Sequence, residues 1–169
     1  MATREPGGTP LGERLRDVLL AAEPGGIGTM AEAHLFAAAR AELVDAVIRP
    51  ALDAGRWVVT DRFLDSSLAY QGGARGLGID AVLALNADVA ERCTPDLSLV
   101  IDTPIAVAAE RRCAGPDRIE AEGDGFQQAV ADGYRELARR FPRRVRLVPA
   151  DGDKQSTHRA VMAEVAALA

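Results

Sequence analysis

Trp57-Val58-Val59-Thr60-Asp61-Arg62-Phe63-Leu64-Asp65-Ser66-Ser67-Leu68-Ala69-Tyr70-Gln71-Gly72-Gly73 is the stretch from which the 169-residue chain is best read. The short apolar run Trp57–Thr60 has the length and composition of a buried strand. Asp61 and Arg62 then stand at its carboxyl end, where open α/β sheets bind their ligands. The arginine offers a planar fork for phosphate oxygens, and the aspartate offers an oxygen to a metal ion or its water. Ser66, Ser67, Tyr70 and Gln71 follow with hydrogen-bonding groups at helical spacing. The stretch predicts one wall of a nucleotide site.

Working outward, two more apolar runs read as strands, Leu97–Asp102 and Val145–Val148. Helical patterns separate them. Thr9 is placed as an N-cap with Pro10 at the first helical position, and Leu11, Leu15, Val18, Leu19 and Ala22 form an apolar face. Thr29-Met30-Ala31-Glu32 has the form of a capping box opening a long helix, with Pro50 as a kink and Gly55 as its stop. One helix is expected from about Asp80 to Arg92, another from about Gly125 to Arg140, and a last one ending at Ala169. The alternation predicts an α/β fold: a three-layer parallel sheet with helices on both faces, in a single domain over 1–169.

Composition narrows the function. With 48% hydrophobic and 27% charged residues the chain is neither disordered nor fibrous. A net charge of -5 argues against a general nucleic-acid binder. No apolar run is long enough to span a bilayer, so no membrane role is expected. Cys93 and Cys113 lie outside any CxxC spacing, which points to reduced thiols in a cytoplasmic setting. His34 and His158 are isolated and read as surface or packing residues.

Three features carry two readings each. Phe36 and Arg40 lie at i and i+4, so ring and guanidinium share a helix face. On spacing alone, a core phenylalanine beside a surface arginine is the commoner arrangement. Gly72–Gly78 is rich in glycine, but no strand leads directly into it, and the dinucleotide-binding reading fails on that context. Arg111-Arg112 followed by Gly115-Pro116-Asp117-Arg118 is, by itself, a solvated charge run; beside a polyphosphate it is a closing lid.

Taken in order, Arg4-Glu5-Pro6-Gly7-Gly8-Thr9, Phe36 with Arg40, Asp61-Arg62 with Ser66 through Gly72, and Asp117-Arg118-Ile119-Glu120 resemble the bacterial thymidylate kinases. The resemblance runs from Thr3 nearly to the C-terminus. It implies a P-loop kinase fold and transfer of the γ-phosphoryl group of ATP to dTMP, giving dTDP, with Mg²⁺. It implies that Arg4 and Arg62 hold the acceptor phosphate, and that Phe36 stacks on thymine while Arg40 bonds its edge. That reading of Phe36 and Arg40 displaces the one favoured by spacing. It further implies that Ser66, Ser67, Tyr70 and Gln71 complete the base and sugar wall. Asp61 is then near the water shell of Mg²⁺, or orients Arg62. Arg111 and Arg118 match the lid arginines, within a lid near 111–124, although Arg112 and Cys113 depart from the usual spacing there. The loop at Pro149-Ala150-Asp151 lacks the acid usual before the alanine, which leaves the adenine contacts unassigned. A homodimer is implied too, with the helix from Thr29 to Gly55 as a contributor.

The donor half departs most from that pattern. The 169 residues contain no GxxxxGK[ST], and their one lysine, Lys154, sits in Gly152-Asp153-Lys154-Gln155. The resemblance places a further strand, the phosphate-binding loop and a helix ahead of Thr3, with that strand between those at Trp57–Thr60 and Leu97–Ile101. A chain without it is expected to fold poorly and to leave ATP unused, since each buried orphaned backbone group costs about 1–3 kcal/mol. The expectation from sequence is therefore a dTMP kinase whose acceptor half is written in these residues. The alternative is a non-catalytic dTMP-binding or dimerising fragment or paralogue.

Overall fold

The computed structural model describes residues 1–21, 26–110, 117–150 and 152–168. Four strands, β1 (Ala2–Arg4), β2 (Val59–Asp61), β3 (Ser98–Asp102) and β4 (Val145–Pro149), alternate with helices. They pair as β1 with β2 and β3 with β4, both parallel. Among the described residues the strands thus form two pairs, parted between β2 and β3, where the sequence expectation placed a further strand. The strand at Trp57–Thr60 also begins later, at Val59.

The β1–β2 register sets Arg4 opposite Asp61. Glu5 N then donates to Asp61 O at 2.9 Å, so the chain leaves both strands at the same level. Glu5 and Arg62 consequently begin their loops side by side.

Helix α1 (Pro10–Leu20) starts as expected: Gly12 N donates to Thr9 Oγ1 at 2.9 Å, and Pro10 occupies the first turn. Of its apolar positions Leu19 is fully buried, whereas Leu11 and Val18 are exposed. Helix α2 (Thr29–Leu43) passes through a π-helical stretch, Val44–Ile48, into α3 (Arg49–Asp53). That stretch stands just before Pro50, whose missing N–H cannot continue a regular α-helical ladder. The expected stop is there. Gly55 N donates to Leu52 O at 2.8 Å and Arg56 N to Ala51 O at 3.0 Å, with Gly55 at φ 70. This is the Schellman pattern, and the left-handed residue it needs is the glycine.

Two expectations are corrected. The capping box is not formed: Gly28 is the N-cap of α2, and the Glu32 carboxylate turns into the protein instead of back to the cap. The single helix expected over Asp80–Arg92 is two, α5 (Ile79–Leu85) and α6 (Ala87–Arg92), broken at Asn86. Asn86 Nδ2 donates to Val82 O at 2.8 Å, a local bond that competes with continuing the helix.

After β2 come α4 (Leu64–Ser67) and a second π-helical stretch, Leu68–Ala74. Leu68 and Ala69 are fully buried, packed with Leu43, Val44, Leu64 and Leu137 in the main core. Helix α7 (Ile105–Glu110) follows β3, and α8 (Asp124–Arg140) packs across the π-helical stretch. A Cβ at Gly133 of α8 would lie 3.0 Å from Ala69 O and 3.1 Å from Ala69 Cα. Only glycine allows this approach, and the approach brings Tyr134 to Ser66. Helix α9 (Lys154–Ala166) closes the chain, capped by Asp153.

Candidate functional site: a cleft at the ends of β1 and β2

A cleft of about 100 Å³ opens where the two strands end. The strand exits place Glu5, Pro6, Arg62 and Phe63 on its rim. Helix α2 contributes Phe36 and Arg40, while α4 and the π-helical stretch contribute Ser66, Ser67, Tyr70 and Gln71. Asp117, Ile119 and Glu120 close one side.

Phe36 is half-buried at the cleft and is no member of the main core cluster. Arg40 is 1% exposed. Its Nε donates to Glu5 Oε2 at 3.1 Å, Nη1 to Asn86 Oδ1 at 2.7 Å and Nη2 to Ser67 Oγ at 2.7 Å. Nη2 also lies against Glu5 Oε1, an ion-pair contact without hydrogen-bond geometry. Burial pushes the Glu5 carboxyl up from its usual range, and Arg40 offsets part of that. The surface arginine favoured by spacing is in fact one of the most buried side chains of the protein.

Arg62 has φ 65, the left-handed region that few non-glycine residues occupy. Such strain persists where surrounding structure imposes it, commonly at functional sites. Its guanidinium lies 5.2 Å from the Tyr70 ring centroid, and Tyr70 packs edge-on against Phe126 and Tyr134. Ser66 Oγ and the Tyr134 hydroxyl are 2.8 Å apart. Burial pushes the Tyr134 phenol up to about 12, so it stays protonated at neutral pH.

Gln71 is 2% exposed and donates through Nε2 to Glu32 Oε1 at 2.9 Å. One of its two amide N–H groups is thereby committed to Glu32. Arg75 donates to both Glu32 oxygens at 3.2 Å, and Arg118 Nη2 to Oε2 at 2.7 Å. Burial alone would raise the Glu32 carboxyl; donors from Gln71, Arg75 and Arg118 outweigh it and hold the group below its usual range.

Seven of the residues expected from the sequence therefore meet in one cleft: Phe36, Arg40, Arg62, Ser66, Ser67, Tyr70 and Gln71. Three stand apart from its lining. Arg4 is half-exposed and pairs with Glu13 at 2.8 Å. Asp61 is exposed at the end of β2. Arg118 is held by Glu32 and by Leu19 O at 2.8 Å. Arg111 lies outside the described residues.

The model of the thymidylate kinase family matches residues 1–161. This chain belongs to the thymidylate kinase family. It is 49% identical over 151 residues to a thymidylate kinase of Alkalilimnicola ehrlichii, covering 88% of this chain and 70% of that one. Against that of Nitrosospira multiformis the identity is 43% over 170 residues, with 99% and 82% covered. The crystal structure of thymidylate kinase from Ehrlichia chaffeensis superposes with a TM-score of 0.76 at 28% identity, over all of this chain and 81% of that one. The α/β fold of parallel strands and helices is thus that of a thymidylate kinase, and the chain is by family a kinase.

Other cleft and network residues of this thymidylate kinase family member carried no signal in the sequence. Arg16 reaches the cleft from α1, its Nη1 donating to Pro6 O at 3.1 Å. Glu32, Asn86 and Tyr134 support the lining from behind. Asn86 and Tyr134 belong to no motif, and Glu32 stands in the sequence only as the last residue of a capping-box pattern.

Proposed function

We propose that the cleft binds dTMP as the phosphoryl acceptor of a dTMP kinase reaction, with ATP as donor, giving dTDP. One observation carries this: an aromatic face, Phe36, and two amide or guanidinium readers, Gln71 and Arg40, share one cleft with Arg62. In this reading Phe36 stacks on the base. Arg40 offers an N–H and Gln71 an oxygen, the complement of a keto pyrimidine edge. Arg62 meets the 5′-phosphate, its ring stack on Tyr70 limiting the guanidinium's freedom. Ser66, Ser67 and Tyr70 form the sugar side. Arg4 reaches the phosphate by leaving Glu13, an exchange of one exposed ion pair for another that costs little. Arg118 and Arg111, as lid arginines, act on charge developing at the transferred group once donor and acceptor meet.

The donor side fits less well. The sequence offers no GxxxxGK[ST], and Lys154 is an exposed residue of α9. Among the described residues no three His, Cys, Asp or Glu side chains gather as a metal-ligand set. Asp61 is the single carboxylate proposed to meet Mg²⁺, through water. The alternative, a dTMP-binding or dimerising module, rests on the same observation.

Among the described residues no helix is long and apolar enough to cross a membrane. A homodimer is proposed through the Thr29–Asp53 helical run, which exposes Met30 and Leu52. Sedimentation equilibrium of the chain tests it. Calorimetric titration with dTMP and with ATP, followed by an assay for dTDP, tests the rest. Binding of dTMP, with dTDP formed once ATP is added, supports the reading. Binding of dTMP without dTDP favours the alternative module, and absence of dTMP binding overturns both.

A further inference from the structure

Arg40 and Asn86 stand 46 residues apart in sequence and 2.7 Å apart in the fold. A guanidinium has five N–H donors. In Arg40 one goes to Glu5 Oε2, one to Asn86 Oδ1 and one to Ser67 Oγ, while Nη2 also lies against Glu5 Oε1 without hydrogen-bond geometry. These partners come from three places: the exit of β1, the junction of α5 with α6, and α4. They fix the plane of the guanidinium and leave one Nη1 hydrogen without a partner among the described residues.

Asn86 holds the nitrogen that carries that hydrogen. It is 3% exposed and is not part of the cleft lining. Its Nδ2 donates to Val82 O at 2.8 Å, which fixes the amide with its oxygen toward Arg40. The reversed amide would set N–H against N–H. The broken helix at Asn86 is thus the feature that orients this side chain.

We propose that Asn86 is a positioning residue that sets base selectivity through Arg40. By fixing Nη1 it commits the cleft to a base carbonyl rather than a base amino group, and so to a keto pyrimidine nucleotide over an amino pyrimidine one. A site arranged as a donor rejects a second donor because one of the two N–H groups is left buried and unpaired. The proposal rests on the dTMP-binding reading of the cleft.

The test compares equilibrium binding of dTMP, dCMP and 2-deoxyribose 5-phosphate by the wild-type chain, Asn86→Ala and Asn86→Asp. Asn86→Ala is expected to weaken dTMP binding about tenfold and to shrink the dTMP-over-dCMP preference by a similar factor. Binding of the sugar phosphate, which lacks the base, is expected to stay within about twofold, since it does not use Arg40. Asn86→Asp keeps an oxygen toward Nη1 and is expected to keep the preference. The proposal is overturned if Asn86→Ala retains the wild-type preference, or loses sugar phosphate in proportion to dTMP, as a merely structural residue would. Should Asn86→Ala not fold, Asn86→Asp decides: a folded variant that has lost the preference overturns the proposal. A wild-type chain that ignores dTMP overturns the underlying reading instead.

Discussion

Arg118 Nη2 sits 2.7 Å from Glu32 Oε2, on a carboxylate that also accepts from Gln71 and Arg75. A residue from the Asp117–Glu120 motif is therefore joined to the Gln71 side of the cleft through one buried acid. Breaking such a cluster by removing its shared partner leaves charges uncompensated.

Glu32→Gln is expected to destabilise the chain by about 3 kcal/mol at neutral pH. Glu32 titrates below its usual range in the folded state, so its contribution is complete above the unfolded carboxyl value of about 4.3 and is lost as pH falls through the lower folded value. The stability gap between wild type and Glu32→Gln should be flat from pH 7 to about 5 and then narrow toward pH 3. Urea unfolding across that range measures it. A gap that widens as pH falls contradicts the assignment.

Arg62→Gly separates strain from binding. Glycine adopts φ 65 without penalty, which returns about 1 kcal/mol, while the stack on Tyr70 forfeits a similar amount. Thermal unfolding should shift by less than about 3 °C. Affinity for dTMP should fall about 10–100-fold, that for thymidine hardly at all, because a charge-assisted phosphate contact is lost.

Phe36→Ala is expected to weaken dTMP binding by about 1–2 kcal/mol, the scale of base–aromatic stacking. Its stability cost should be about 1 kcal/mol or less, because the ring is half-buried at the cleft and outside the main core cluster. A large loss of stability with unchanged affinity would return Phe36 to a packing role.

Gly133→Ala addresses the support of the wall. The added methyl meets backbone atoms of Ala69 at 3.0–3.1 Å, and backbone yields poorly. A loss of about 1–3 kcal/mol is expected, lowering the unfolding midpoint by several degrees. The Tyr134–Ser66 contact on the same face should loosen with it, visible as a lower and broader phenol titration from about 12.

Legibility followed locality. Thr9, Pro10 and Gly55 act within a turn of their own positions, and their roles were readable from composition and spacing. So was the run from Arg62 to Gln71, where strand end and helical spacing lie in one stretch. The long-range partners were not readable. Thr29–Glu32 carries the letters of a capping box, yet four donors from residues 71, 75 and 118 outcompete the cap for Glu32. Asn86 looked like one residue of a continuous helix, because nothing nearby reports that Arg40 takes its oxygen. The burial of Arg40 itself is set by Glu5, Ser67 and Asn86 together, none within one helical turn of it.

Whether the cleft holds dTMP is measured most directly by thermal unfolding of the 169-residue chain with added nucleotide. Ligand present at a hundredfold over its dissociation constant adds about 2.7 kcal/mol to the folded state, a gain visible even in a chain of low stability. The midpoint should rise with dTMP in a concentration-dependent way, and much less with thymidine or dAMP. A midpoint unmoved by dTMP, or moved equally by dAMP, would contradict it.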